Sequence, residues 1–180
     1  MHCVFLRDAL EFLDYPFSAA SVFPGGRVDA RLVQDVDSRA SPPEVRLKQG
    51  EVLFVAAPQR AKLAAFATAL DLPDVSRPDA WAVILRPWSD PELDESDDAA
   101  ALGGLAERGI TRAEVEDLRE ILQPALAAYC TRSGLWDRAD LGLFDALAAL
   151  SGSLAGPDFC LPQSEFAEFY RQAMEVAARG

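Results

Sequence analysis

The apolar positions of the first third of the chain predict one helix and one strand. Over residues 3–13 they form a wide helical face that leaves Arg7, Asp8 and Glu11 for solvent, so the pattern predicts a short helix. Over residues 27–36 apolar and charged residues alternate, which predicts a half-buried strand. The alternation slips at Val33, and a slip of this kind indicates a bulge.

Two continuous apolar runs follow, with a helical pattern between them. Residues 51–56 and residues 80–85 are apolar almost throughout, and such runs are typical of strands covered on both faces. Residues 58–70 repeat their apolar positions at helical spacing after Pro58. A strand, a helix and a strand within this length favour a βαβ crossover.

The second half of the sequence reads as helix. A short helix is predicted over residues 99–105, weakened by Gly103 and Gly104. Thr111 and Glu114 have the spacing of a capping box, so a long helix is expected to begin there. Pro124 lies inside its apolar stripe and either kinks this helix or begins a second one. Two more helices are predicted over residues 137–150 and 163–178.

These elements predict an α+β protein of one domain, residues 1–180. We expect a small mixed sheet of about three strands in the N-terminal half and a mostly helical C-terminal half packed on it. Three sub-parts are expected: a mixed part at 1–89, an acidic linker at 90–98 and a helical part at 99–180.

Charge separates the two halves more sharply than hydropathy does. The net charge is −12, and residues 90–180 carry 18 acidic and 7 basic side chains, a net of −11. A surface of this sign repels phosphate, which argues against nucleic-acid binding. Only two of the 17 basic residues are lysines, Lys48 and Lys62, which indicates the codon usage of a GC-rich, bacterial genome.

The cysteines and the N-terminal residues predict a cytoplasmic protein. Cys3, Cys130 and Cys160 are odd in number and widely spaced, as reduced thiols are. Charged residues interrupt the apolar N-terminal segment, so no signal peptide is expected. No apolar run approaches the roughly 20 residues that cross a bilayer, so no membrane contact is predicted.

The residue types that are missing restrict the chemistry. His2 is the one histidine, so histidine-based catalytic triads and histidine-rich zinc sites have no basis. No phosphate-binding loop motif occurs, and we predict no cofactor. The acidic segment fails as a calcium loop, because Ala99 and Leu105 stand where an EF-hand needs glycine and glutamate. Carboxylate, arginine, hydroxyl and thiol chemistry is what remains.

Two acidic segments are the predicted partner-binding surface. A solvated linker is the plain interpretation of the first, and helix-dipole stabilisation accounts for several acids of the second. The alternative is one anionic face with Trp88 as an aromatic contact. Its acidic members are Asp90, Glu92, Asp94, Glu95, Asp97, Asp98, Glu114, Glu116, Asp117 and Glu120.

The sequence therefore predicts a non-catalytic interaction or regulatory module that binds a basic protein partner, like an inhibitor or immunity protein. The alternative function is a carboxylate-based hydrolase or a divalent-cation-binding protein. A third alternative is a homo-oligomer in which apolar helix faces are covered by another copy.

Overall fold

A computed structural model describes residues 1–90, 92–133, 141–152 and 155–180. Within them the chain forms two compact units, Met1–Arg77 and Pro78–Gly180. The first contains the strands and one helix, and the second contains the other helices. The α+β class predicted from the sequence is confirmed, with the strands in the N-terminal half and most helices in the C-terminal half. That both units form a single domain stays a prediction.

The N-terminal segment is a β-hairpin, so the helix predicted over residues 3–13 is wrong. Strands β1 (His2–Phe5) and β2 (Ala9–Leu13) pair antiparallel, and β3 (Gly26–Asp29) pairs with β2 on its other side. The Leu6 N–H donates to the Ala9 carbonyl at 2.9 Å and closes the turn. Within β2, Leu10 and Phe12 are buried while Glu11 is exposed, which is the two-residue period of a strand.

A second antiparallel sheet follows the first. A 3₁₀ turn at Ala30–Leu32 separates β3 from β4 (Val33–Asp37), so residues 27–36 are two strands and not one. The predicted slip at Val33 is confirmed as a register shift in the pairing of β4 with β5 (Glu44–Leu47). Strand β6 (Val52–Phe54) completes the order β4-β5-β6 and confirms the strand predicted over 51–56.

Helix α1 (Arg60–Ala69) confirms the helix predicted over residues 58–70. A 3₁₀ turn at Ala57–Gln59 leads into it. The side-chain amide of Gln59 is buried and binds the main chain of Cys3 twice. The Cys3 N–H donates to Oε1 at 2.9 Å, and Nε2 donates to the Cys3 carbonyl at 2.5 Å. An amide therefore occupies the position that another strand would take beside β1.

Among the described residues, the second unit contains five α-helices. They are α2 (Ala80–Ser89), α3 (Glu95–Ala106), α4 (Arg112–Ser133), α5 (Leu143–Leu150) and α6 (Gln163–Arg179). The helices predicted over 99–105 and 163–178 are confirmed, and α4 continues through Pro124. The predicted helix over 137–150 is confirmed from Leu143, while 137–140 lie outside the described residues.

The strand predicted over residues 80–85 is wrong, because this segment is the first part of α2. The Asp79 side chain accepts a hydrogen bond from the Trp81 N–H at 2.8 Å and caps the helix. Trp81 is fully buried, and its indole N–H donates to the Ala173 carbonyl of α6 at 3.2 Å. Without this strand the βαβ crossover is also wrong, and both three-stranded sheets are antiparallel.

The acidic segment 90–98 lies inside the second unit. Asp94 is the N-cap of α3, and residues 95–98 are its first turn. This half of the predicted linker is therefore helical. No helix in the described part of the chain has the length and apolar character needed to span a membrane.

Candidate interaction surface on the helical unit

Arg119 of α4 holds the start of α3 in place. Its two terminal nitrogens each donate to one carboxylate oxygen of Asp98 at 2.8 Å. Its Nε donates to the Ile84 carbonyl of α2 at 2.9 Å, and a terminal nitrogen also reaches the Val83 carbonyl at 3.4 Å. One guanidinium therefore ties three helices together. The Asp98 and Arg119 side chains are 22% and 17% exposed, so water screens this pair only partly.

A proline in α2 explains why the Val83 carbonyl is available to Arg119. Pro87 lies inside α2 and has no N–H to give to the carbonyl four residues earlier, which is that of Val83. The guanidinium of Arg119 supplies a donor to that carbonyl from outside the helix. The arginine thus compensates for the hydrogen bond that the proline removes.

Asp94 fixes the first turn of α3. Its Oδ1 accepts from the Asp97 N–H and from the Ser96 hydroxyl, both at 2.8 Å. These two hydrogen bonds, the first of them the stronger cause, lower the pKa of Asp94 below its usual value. The hydrogen bonds from Arg119 lower the pKa of Asp98 in the same direction. Both carboxylates are therefore charged at neutral pH.

Four exposed acids surround this capped turn, and we call them the acidic patch: Glu92, Asp94, Glu95 and Asp97. None of them has an ion-pair partner within 4 Å among the residues that the structure describes. The helix dipole favours acids at this end of α3, which accounts for their position without neutralising them. The patch is therefore a group of exposed carboxylates without an ion-pair partner among the described residues, on a backbone that Asp94 and Arg119 hold in place.

The other predicted acids of these segments are used differently. Asp90 pairs with Arg86 at 3.3 Å, and Glu116 pairs with Arg112 at 2.8 Å. Glu114 binds the guanidinium of Arg179 on α6 through both carboxylate oxygens, while the Thr111 hydroxyl accepts from the Glu114 N–H at 3.2 Å. The structure therefore contains half of the predicted capping box, because the Glu114 side chain turns to Arg179.

The ten predicted acids do not all lie on one face. Each residue advances about 100° around a helix, so Asp117 lies roughly 160° from Arg119, which faces α3. Asp117 and Glu120 are exposed on the outer side of α4, away from the acidic patch. Trp88 is half-buried near the end of α2. Binding at any of these residues stays a prediction.

The first unit contains a buried polar cluster that the sequence did not reveal. Asp35 is 2% exposed and forms an ion pair with Arg77. Asp37 is also buried and accepts from the N–H groups of Arg39 and Ala40 at 2.9 and 3.0 Å. Within the described residues, Oδ1 of Asp35 and Nε of Arg77 have no hydrogen-bond partner.

The cluster continues into the loop after β4. Asp74 accepts from the N–H and the hydroxyl of Ser38, at 3.0 and 2.6 Å. Arg60 donates to the carbonyls of Ser38 and Ala40. The cluster therefore fixes the chain around residues 38–40. Asp35 and Asp37 alternate with Val36 like the outward residues of a strand, and no pattern in the sequence marks them as buried.

A partly buried acid of the helical unit has a capping role. Asp145 of α5 accepts from the Tyr129 hydroxyl at 2.8 Å and from the Gly142 N–H at 2.9 Å, so each oxygen has a donor. Burial raises the pKa of Asp145. Burial also raises the pKa of Cys130, which packs in the core. No group of three or more histidine, cysteine or acidic side chains suited to a metal ion occurs in the described part of the chain.

Comparison with known proteins gives no relative to reason from. No family model matches the chain, and neither a curated protein nor a solved structure matches it. The role of the acidic patch is therefore argued from its charge and its geometry.

Proposed function

We propose that the protein is a non-catalytic interaction module whose acidic patch binds a basic segment of another protein. One observation carries the proposal: four exposed carboxylates lie together at the start of α3 and have no ion-pair partner among the described residues. Open charges of one sign on a fixed backbone are suited to a partner that carries lysine and arginine. In this proposal the module acts as an inhibitor or immunity-type regulator of that basic protein.

The support for a fixed backbone comes from the two contacts beneath the patch. Asp94 caps the turn, and the Asp98–Arg119 pair joins that turn to α2 and α4. A surface that is already ordered loses little conformational entropy on binding. Each exposed charge pair contributes only about 0.2–1 kcal/mol, so several must form at once. Trp88, half-buried at the end of α2, is the aromatic contact in this proposal.

The charge of the whole helical unit adds long-range attraction. Residues 78–180 carry 19 acidic and 8 basic side chains, a net of −11. A field of this sign raises the association rate of a basic partner, and added salt screens it. The alternative function, a carboxylate hydrolase or a divalent-cation-binding protein, gains no specific observation from the described residues.

Capture from a lysate of the source organism tests the proposal with a matched pair of variants. The patch variant is E92Q/D94N/E95Q/D97N, in which asparagine keeps the capping ability of residue 94. The control, E107Q/D158N/E165Q/E168Q, neutralises four exposed acids elsewhere in the unit and makes the same change in net charge. Wild type and control should retain the same basic protein at low salt and release it at high salt, while the patch variant should not retain it.

Two outcomes contradict the proposal. If the patch variant retains the same basic protein as the wild type, the patch is not its binding site. If the control loses the partner as completely as the patch variant does, the retention reflects net charge alone. Titration calorimetry of the purified partner at several salt concentrations then measures the affinity. A salt-independent affinity would also contradict an electrostatic site.

A further inference from the structure

The sheet-containing unit has an apolar groove with a basic rim. A cavity of about 660 Å³, open on its outer side, lies between the end of β1 and helix α1. Phe5, Leu6, Phe66 and Leu70 line it, together with Arg7 and Lys62. Both cations are exposed, and neither makes a hydrogen bond or ion pair with another described residue. An apolar surface next to two cationic side chains that have no partner among the described residues favours an apolar ligand that also carries carboxylate groups.

The shape of the groove favours a helix as its occupant. Lys62 and Phe66 of α1 and Leu70, which directly follows this helix, are spaced four residues apart and form a strip of about 12 Å, or about two helical turns. A small molecule would stay largely exposed in a groove that is open on one side. Addition of a strand to β1 is restricted, because Gln59 occupies both main-chain groups of Cys3.

The outer side of α4 has the complementary pattern, and we call it the α4 ridge: Asp117, Glu120, Ile121 and Pro124, all exposed. Ile121 is 44% exposed and is one of five large apolar side chains that are exposed in the described part of the chain. In the described part of the chain, no ion pair involves Asp117 or Glu120. The two acids and the isoleucine lie within about 100° of one another around the helix.

We propose that the α4 ridge of a second copy of this chain binds in the groove. Charge and spacing agree in one alignment, with the two helices parallel. Lys62 precedes Phe66 by four residues, and Asp117 precedes Ile121 by four residues. One alignment of the two helices therefore places Asp117 beside Lys62 and Ile121 beside Phe66. Glu120 then pairs with Arg7. None of these residues belongs to the acidic patch, so the inference does not rest on the proposed function.

The contact joins two different surfaces, so each copy has one groove and one ridge to offer. Such heterologous association forms a ring if its rotation closes and an open chain if it does not. Each copy carries a net charge of −12, and this repulsion keeps the association weak and dependent on concentration. Salt screens both the repulsion and the local pairs, so an exchange of charges is a sharper test than a salt series.

Sedimentation velocity of the full chain over a wide concentration range is the experiment. The wild type should sediment faster as its concentration rises. The groove variant R7E/K62E and the ridge variant D117K/E120K should each sediment as monomers. In a mixture of the two variants, the acidic groove of R7E/K62E can bind the basic ridge of D117K/E120K. Faster sedimentation should therefore return. I121S should weaken self-association without any change in charge.

The control variant E165K/E168K makes the same charge change as the ridge variant on exposed residues of α6 and should associate no less than the wild type. Circular dichroism shows that each variant is folded. Three results would overturn the proposal: a wild type that is monomeric at every concentration, reversal variants that associate like the wild type, or a mixture of the two that stays monomeric. The patch variant should associate no less than the wild type, which separates this test from that of the proposed function.

Discussion

Single carboxylates in this chain differ in role according to partners that lie far away in sequence. Asp98 was predicted as part of a binding surface, but it pairs with Arg119, which follows it by 21 residues. Glu114 pairs with Arg179, 65 residues later. The sequence locates the acidic segments correctly because charge is a property of each residue. Tertiary contacts decide which of these acids form ion pairs within the fold, and a local sequence pattern does not reveal those contacts.

Arg119→Ala should destabilise the helical unit by about 2 kcal/mol, because it leaves the half-buried carboxylate of Asp98 and the Val83 carbonyl without their donor. Urea unfolding at neutral pH measures the loss. The control is Arg112→Ala, which removes an ion pair whose side chains are 73% and 59% exposed. It should change the free energy of unfolding by less than about 0.5 kcal/mol.

The same measurement in acid separates the two contributions of Arg119. The pKa of Asp98 is lower in the folded protein than in the unfolded chain, where it is about 3.9. Stability from this pair is therefore present above that value and is lost as the pH falls through the folded pKa. The penalty of Arg119→Ala should be constant near neutral pH and shrink in acid. An unchanged penalty in acid would mean that the carbonyl contacts dominate.

At the level of elements, the long helices were predictable, whereas two short apolar segments were not. Helices α4 and α6 keep an apolar stripe over several turns, and this repetition identifies them from sequence. Residues 3–13 and 80–85 are short apolar segments that suit either a helix or a strand. In the first, pairing of Cys3 with Phe12 and of β2 with β3 decides for strands. In the second, the Asp79 cap and the burial of Trp81 decide for a helix.

Part of the candidate surface could likewise be predicted from the sequence. The acidic segment before α3 was located from the sequence, and Trp88 was placed near it. The capping role of Asp94 was not recognised, although an aspartate followed three residues later by another acid resembles a helix N-terminus. The groove beside α1 was not foreseen, because Phe5 and Leu6 were assigned to a helix. An error in one element therefore concealed a surface.

Strand β1 depends on Gln59, which leads to a prediction about the edge of the first sheet. Gln59→Ala leaves the N–H and the carbonyl of Cys3 without their partner, and it should cost about 2–3 kcal/mol in urea unfolding. An uncovered edge also pairs with other chains, so aggregation on heating should increase, which light scattering measures.

Gln59→Glu keeps the acceptor for the Cys3 N–H but has no donor for the Cys3 carbonyl, and it should be destabilised as well. Gln34→Ala, at an exposed position of β4, is the control and should stay within about 0.5 kcal/mol of the wild type. Equal effects at positions 34 and 59 would show that the amide does not protect the edge.

In the whole molecule, the negative charge is concentrated in the unit that the helices form. Five described ion pairs involve acids of this unit, but its net charge of −11 leaves many carboxylates unbalanced. Repulsion among like charges destabilises a compact state, and salt reduces it. The helical unit should therefore be less stable at low ionic strength than at physiological salt.

Thermal unfolding followed by tryptophan fluorescence tests this, because all three tryptophans, Trp81, Trp88 and Trp136, belong to residues 78–180. The midpoint should rise by a few degrees when sodium chloride is raised from about 0.01 M to about 0.15 M, since the Debye length falls from about 30 Å to about 8 Å. The patch variant carries four fewer negative charges and should respond less. A midpoint that falls with salt would mean that attractive pairs outweigh repulsion.

The donor that Arg119 gives to α2 has a consequence for how the sequence can change over time. Pro87 leaves the Val83 carbonyl without its helical donor, and the arginine on another helix replaces it. The two positions are therefore epistatic, and loss of the arginine is more harmful while the proline is present. Mutation of the proline first lowers the later cost of losing the arginine, but the pair with Asp98 and the contact to the Ile84 carbonyl still oppose that loss. Mutation of the arginine first passes through a less stable ancestor.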